Sequence, residues 1–155
     1  MLKSIEGNFD NPEVNQLLKK HFIELRAASP EGSAHVLDIP GLMIPSIKFW
    51  SLWKEDQLMG CGALKFLDKN HGEFKSIRIH DNFRGKGNGA KIIHYLIKEA
   101  KKLNITRLSL ETGASSFFAP ARKLFDNCGF KPCSPFAHYK EDKNSLYLTK
   151  VLEND

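Results

Sequence analysis

Apolar residues recur at helical spacing in three stretches of the chain and alternate with polar ones in most of the others. Val14, Leu17, Leu18, Phe22 and Leu25 share one side of a helix. Asn11 precedes it as a cap, Pro12 fits its first turn, and it should end near Ala28, ahead of Pro30. From Ala90 onward, Ile93, Leu96, Ile97, Ala100 and Leu103 form a second stripe of period 3.6. Lys101 and Lys102 suit the negative end of that helix, and Asn104 can take the left-handed cap. A third helix is expected over 120–127, closed by Gly129.

Strand patterns fill the intervals. A short one covers 3–6. Two more, 47–54 and 58–67, read as a hairpin joined by Glu55-Asp56-Gln57. Gly60 and Gly62 inside the second mark a bulge or a close backbone approach. After a turn at Asn70-His71-Gly72, residues 73–80 alternate. Phe74, Ser76 and Arg78 are expected on one face, while Ile77 and Ile79 shift the apolar set. Further strands are expected over 107–111, from Phe130, and over 145–152. The stretch 29–46 holds Pro30, Gly32, Pro40, Gly41 and Pro45 and reads as an irregular connection with one helical turn. The order predicts an α+β arrangement around a mixed sheet.

At 155 residues, 41% hydrophobic and 26% charged, the chain suits one domain spanning 1–155. No apolar run approaches the ~20 residues that span a membrane. The opening Met1-Leu2-Lys3-Ser4-Ile5-Glu6 lacks a signal-peptide core, so a cytoplasmic location without membrane contact is expected. Cys61, Cys128 and Cys133 are odd in number and form no CxxC pair, which favours reduced thiols over a disulfide frame or zinc site. The histidines lack ligand spacing, so no metal is expected. Net charge is +5, with a pI of about 9.1, and points to an anionic partner. Between 84 and 102 stand Arg84, Lys86, Lys91, Lys98, Lys101 and Lys102 against one acid, Glu99. A solvated helix face accounts for the last three but not for Arg84 and Lys86, which sit among glycines.

Strand, glycine loop and long amphipathic helix together make a phosphate site. The first turn of a helix carries unpaired N–H groups and the positive end of the dipole. Glycines let a ligand approach the backbone, and Arg84 and Lys86 add charge-assisted hydrogen bonds. The spacing is not that of a P-loop, GxxxxGK[ST]. Nor is it GxGxxG after a first strand, which weakens a dinucleotide reading.

Arg84-Gly85-Lys86-Gly87-Asn88-Gly89 resembles the acetyl-CoA signature [Q/R]-x-x-G-x-[G/A] of the GNAT (N-acetyltransferase) superfamily. Ala121-x-x-Leu124-Phe125-x-x-x-Gly129-Phe130 is similar to that family's A-x-x-L-Y-x-x-x-G-F segment. Cys61-Gly62-Ala63-Leu64-Lys65 and Leu108-Ser109-Leu110-Glu111-Thr112-Gly113 resemble the bacterial YsnE-type subgroup. The resemblance implies a mostly antiparallel sheet of about six or seven strands, flanked by about four helices and splayed between strands 4 and 5. It implies an acetyl-CoA-dependent transferase acting on an amine acceptor, as a monomer or homodimer.

Residue by residue, the resemblance implies that the amides of Arg84, Gly85, Lys86, Gly87, Asn88, Gly89 and Ala90 hold the CoA pyrophosphate. The pantetheine arm would pair with Ile77, Arg78 and Ile79 as a substitute strand. Glu111 and Thr112 would face the splayed opening. Phe118, Arg122 and Phe125 would lie on the next helix near the cofactor, with core packing an equal reading of the two phenylalanines. Glu73, eleven residues before Arg84, falls where several members carry a general base; a solvent-facing strand position is the plainer reading. Glu111 is a second candidate base. Phe125 stands where the family often has a tyrosine acid, so Tyr139, Tyr147 or water would substitute, and Phe118 stands where an Asn is common. Phe49, Trp50, Trp53 and His35 fall in the part that builds the acceptor side. A tryptophan lining that pocket would favour an aromatic or apolar amine, although buried core is the plainer reading. Two other classes compete: a non-catalytic acyl-CoA-binding module of the same fold, favoured by Phe125, and a basic nucleic-acid-binding domain, for which no motif is present.

Overall fold

A computed structural model describes residues 2–30 and 32–153. The first helix, α1 (Pro12–Ala28), begins at its cap: Asn11 Oδ1 accepts from the amides of Glu13 and Val14 at 2.9 and 3.2 Å. Its buried stripe is Val14, Leu17, Leu18 and His21. His21 thus takes the buried place expected of Phe22, which is half-exposed beneath the Arg26 guanidinium.

The strands are β1 (Leu2–Glu6), β2 (Ile47–Lys54), β3 (Gln57–Phe66), β4 (His71–Ile79), β5 (Arg107–Gly113), β6 (Lys131–Pro132) and β7 (Ser145–Val151). The helices after α1 are α2 (Ile39–Leu42), α3 (Asn88–Lys102) and α4 (Ala119–Asn127). The seven strands form one sheet in the order β1-β2-β3-β4-β5-β7-β6. β4 starts two residues ahead of expectation because Asp68 Oδ1 accepts from the amides of Asn70 and His71 and closes the turn early. The strand expected from Phe130 shrinks to Lys131 and Pro132, since proline cannot donate to a ladder.

All neighbouring strands are antiparallel except β4 and β5. That parallel pair is joined only at His71–Arg107, Gly72–Leu108 and Glu73–Ser109. Beyond Glu73 the two strands part, as the resemblance implied. β4 also carries a bulge opposite Gly62, where Ser76 has φ +54°. The bulge reverses the faces taken by residues 77–79. Phe74 packs under α3, but Arg78 turns to the α1 side and bonds Glu24. Placing Phe74 and Arg78 on one face is therefore corrected.

Two apolar clusters hold the sheet. Under α3 and α4 lie Leu64, Phe74, Ile92, Ile93, Leu96, Leu108 and Leu148, among others. Under α1 and α2 lie Phe49, Trp53, Cys61 and Ala63. Trp50, 4% exposed, belongs to the first cluster. Gly60 and Gly62 allow α3 its close approach: a Cβ at Gly60 would sit 2.7 Å from Ile92 Cδ1, and one at Gly62 2.4 Å from Leu96 Cδ1.

Candidate active site

The glycine loop does not follow β4 directly. A single 3₁₀ turn, Asp81–Phe83, intervenes, capped by His80 Nδ1 accepting from the Asn82 amide. Arg84 then leads into Gly85 (φ +82°) and Gly87 (φ +77°), conformations that L-residues adopt at a cost. Gly87 is the N-cap of α3 and supplies no side chain to its amides. The helix therefore opens at Asn88, two residues earlier than expected. Its first intrahelical bond is Lys91 N–H to the Gly87 carbonyl at 3.3 Å, so the amides of Asn88, Gly89 and Ala90 precede the helical ladder and gather the positive end of the dipole. Asn88 is buried and donates through Nδ2 to the Phe83 carbonyl at 2.8 Å, tying the loop shut. Gly89 faces Leu124 and Ile79, where a Cβ would lie 2.7 and 3.0 Å from their methyl groups. Lys86 is exposed; Arg84 leans on Asp81 at 3.3 Å.

The loop stands at the open end of the β4–β5 gap. His80 N–H bonds the Met59 carbonyl at 2.8 Å, so strand alternation turns the Ile79 N–H to the other edge, toward β5. Arg78 stays on β4, but its guanidinium serves α1: Nη2 bonds Glu24 Oε1 at 2.8 Å, with Asp81 3.9 Å away. Its neighbour His21 is buried beside it, and burial, reinforced by the Arg78 charge, lowers the imidazole pKa to about 4.

On the α1 side of the gap stands a polar cluster. Glu73 is 1% exposed, which corrects the solvent-facing expectation. Its Oε2 accepts from the Tyr139 hydroxyl at 2.6 Å and from Lys75 Nζ at 3.2 Å; its Oε1 is buried with no protein partner. Lys75 Nζ also reaches Tyr139 Oη at 3.1 Å. Glu111, one strand over, takes the Ser145 hydroxyl on Oε2 at 2.7 Å and lies 3.4 Å from His35 Nδ1. Tyr139 stands between the carboxylates, in ring contact with His35 at 5.1 Å and Tyr147 at 5.6 Å. Burial, then the charge of Glu73, pushes its phenol pKa far up, so it stays protonated.

The three residues expected to do chemistry, Glu73, Glu111 and Tyr139, are thus brought together. Thr112 is buried next to Glu111 but on the opposite strand face. Phe118 stands on a 3₁₀ turn, Ser116–Phe118, ahead of α4, and its ring lies over Gly113. Arg122 on α4 donates through Nη1 to the carbonyls of Gly113 and Ser115 at 2.9 and 2.8 Å, fixing the end of β5. Phe125 is buried edge-on against Phe130 at 5.4 Å, a core residue. Phe49 and Trp53 are core as well. Sequence reasoning passed over Lys75 and Phe136. Lys75 carried a signal: two residues beyond Glu73 on one strand, it shares its face. Phe136 stacks edge-on with Tyr139 at 5.1 Å and carried none. Among the described residues no helix is long and apolar enough to cross a membrane, and no group of His, Cys, Asp or Glu is placed to hold a metal.

Comparison with known proteins gives this geometry its context. Residues 12–130 match the acetyltransferase (GNAT) family. The chain is 46% identical over 140 residues to the uncharacterised N-acetyltransferase YsnE of Bacillus subtilis (strain 168), covering 90% of this chain and 93% of that one. It is 39% identical to the uncharacterised N-acetyltransferase YedL of Escherichia coli (strain K12), over 92% of this chain and 89% of that one. Its fold matches a GNAT acetyltransferase from Elizabethkingia anophelis with acetyl-CoA bound, with a TM-score of 0.66 at 18% identity over 97% of this chain and 98% of that one. A sheet that parts between its parallel pair, a glycine-opened helix at the gap, and kinship along most of the sequence agree: the chain belongs to the acetyltransferase (GNAT) family.

Proposed function

We propose that the enzyme transfers the acetyl group of acetyl-CoA directly to a primary amine, with Glu73 as the general base. One observation carries this reading. Where β4 leaves β5, a buried carboxylate with a free oxygen stands on the strand whose edge amides line the gap.

The diphosphate of the donor would lie against the amides of residues 84–90, and Arg84 and Lys86 would add charge. The pantetheine arm would run along the open edge of β4 at Ile77 and Ile79. The Ile79 N–H, turned to that edge, is placed to hold the developing oxyanion. An acceptor ammonium has no lone pair and must lose a proton near neutral pH. Glu73 Oε1 takes it, while Oε2 is held by Tyr139 and Lys75. The amine nitrogen then bonds the carbonyl carbon, the C–S bond breaks, and CoA leaves as a thiolate.

Tyr139 directs its proton at Glu73 and is hard to ionise, so it positions the base rather than serving as the acid. Phe125 has no proton to give. A thiol of pKa ~8.5 leaves adequately from water. Calorimetry with acetyl-CoA, followed by thiol release with a panel of amines, tests the reading. Saturable binding and amine-dependent CoA release support it; no affinity for CoA sinks it.

A further inference from the structure

The polar cluster beside the gap has two carboxylates, built alike and filled differently. Glu73 has the phenol of Tyr139 and the ammonium of Lys75. Glu111 has the hydroxyl of Ser145, the ring of His35 3.4 Å away, and no lysine or arginine partner among the described residues. Tyr139 lies between them. Its hydroxyl already receives an ammonium: Lys75 Nζ stands 3.1 Å from the Oη and 5.8 Å from the ring centroid, off the tip of the phenol. The rings of His35 and Tyr147 continue the same wall toward Glu111.

The charges do not balance. Two carboxylates, 2% and 13% exposed in their side chains, face one ammonium. The chain as a whole carries +5, so this acidic excess runs against its composition. A carboxylate drawn out of water into an aromatic wall is costly without a cation. Glu73 Oε1, fully buried and unpartnered, adds a second unmet acceptor in the same cluster.

We propose that Glu111 binds the positive centre of the acceptor, so that the enzyme selects amines with no carboxylate beside the nitrogen over α-amino acids. This rests on the acetyl-transfer reading above and names its substrate class. Lys75 shows the chemistry in miniature: an alkylammonium held by a carboxylate and a phenol oxygen. The acceptor brings the second such group to the second carboxylate. A monoamine presents its own ammonium, which docks on Glu111 and passes its proton to Glu73 as the nitrogen advances. A diamine leaves its distal ammonium on Glu111. An acceptor with a carboxylate next to the nitrogen sets a third negative charge against the two already present.

Matched pairs that differ only in that carboxylate test the idea: phenethylamine against phenylalanine, and cadaverine against lysine. Acetyl-CoA affinity is measured on the same sample. Each decarboxylated amine should exceed its amino acid in kcat/KM by about tenfold or more, the worth of one charged hydrogen bond. Glu111→Gln keeps the Ser145 contact. It should raise the KM for phenethylamine about tenfold, narrow the gap between phenethylamine and phenylalanine, leave acetyl-CoA affinity unchanged and not lower Tm. If neither member of a pair is turned over, their binding to the CoA-loaded enzyme, followed by NMR titration, gives the same ranking.

Equal or preferred use of the amino acids overturns the proposal. So does an E111Q enzyme with unaltered amine KM, or a CoA-loaded enzyme that binds neither amine. Loss of acetyl-CoA binding itself would instead remove the acetyl-transfer reading beneath it.

Discussion

The two faces of the sheet at β4 and β5 are filled in opposite ways. Under α3 and α4 the strands offer Phe74, Leu108 and Leu110, sealed by Ile92, Ile93 and Leu96. On the other face the same strands offer Glu73, Lys75, Ser109 and Glu111, covered by the loop that brings Phe136 and Tyr139. Period-two alternation makes both from one sequence. The apolar face supplies burial and fixes the strands. The polar face is buried without that gain, and the protein maintains it at a cost in stability. Substitutions on the two faces should therefore separate activity from stability.

The sharpest break is Glu73→Gln. It preserves size and hydrogen bonding but removes the base. The rate of CoA release with a good amine should fall by roughly 10²–10⁴, the range for a general base. The midpoint of urea unfolding should fall far less than the rate, by the loss of the Lys75 pairing alone. A fall in midpoint that tracks the fall in rate would reduce Glu73 to a structural group.

Leu96→Ala on the opposite face should do the reverse. Leu96 is 1% exposed and packs over Gly62, so truncation should cost about 2–5 kcal/mol of unfolding free energy. KM for acetyl-CoA and for the amine should be unchanged in the protein that remains folded. Changed substrate constants would mean the faces are coupled.

Legibility in the sequence divides along the same line. Asn11-Pro12, the hairpin joint, the glycine loop and the α3 stripe are local signals, written in a few adjacent residues, and each produced its element within a residue or two. The bulge at Ser76 was visible only as a shift of Ile77 and Ile79. It could not be placed because φ at a single residue decides the face of Arg78. The shrinkage of β6 was foreseeable from Pro132. The polar cluster was named in part, through Glu73, Glu111 and Tyr139, but not as a cluster. Tyr139 reaches Glu73 across 66 residues and His35 reaches Glu111 from a loop with no regular structure. Nothing in local spacing encodes such contacts. Lys75 was missed because a lysine on a strand ordinarily lies in water, and only the loop cover makes it an internal partner.

A third difference lies along the α1 side itself. Near Glu73 the buried carboxylate has an ammonium to pair with, whereas His21 is buried against the guanidinium of Arg78, with Glu24 partly offsetting that charge and Arg84 adding a weaker repulsion. The folded protein therefore resists protonating His21, and its pKa falls from 6.5 to about 4. The unfolded chain binds that proton more readily, so stability is complete above pH 6.5 and is lost as pH falls toward 4. The loss should reach about 3 kcal/mol. His21→Gln should flatten that part of the profile relative to the parent, read as unfolding free energy at pH 7, 5.5 and 4. Parallel profiles would show that His21 is not the titrating group.

The smallest effect belongs to the donor side, where backbone rather than side chains does the work. Gly85 and Gly87 both have positive φ, and a Cβ at either would meet nothing within 4 Å. Alanine at each should therefore cost about 1 kcal/mol of stability through backbone strain alone. The two should differ in binding. Gly87 caps α3, and strain there disturbs the amides of Asn88, Gly89 and Ala90 that would face the diphosphate. Gly85 lies ahead of the helix, and relaxation at that point can stay local. Calorimetry should then find CoA affinity weakened more by G87A than by G85A, although their unfolding free energies match. Equal affinities would mean that the helix opening is a turn like any other, and that the donor is held elsewhere along the gap.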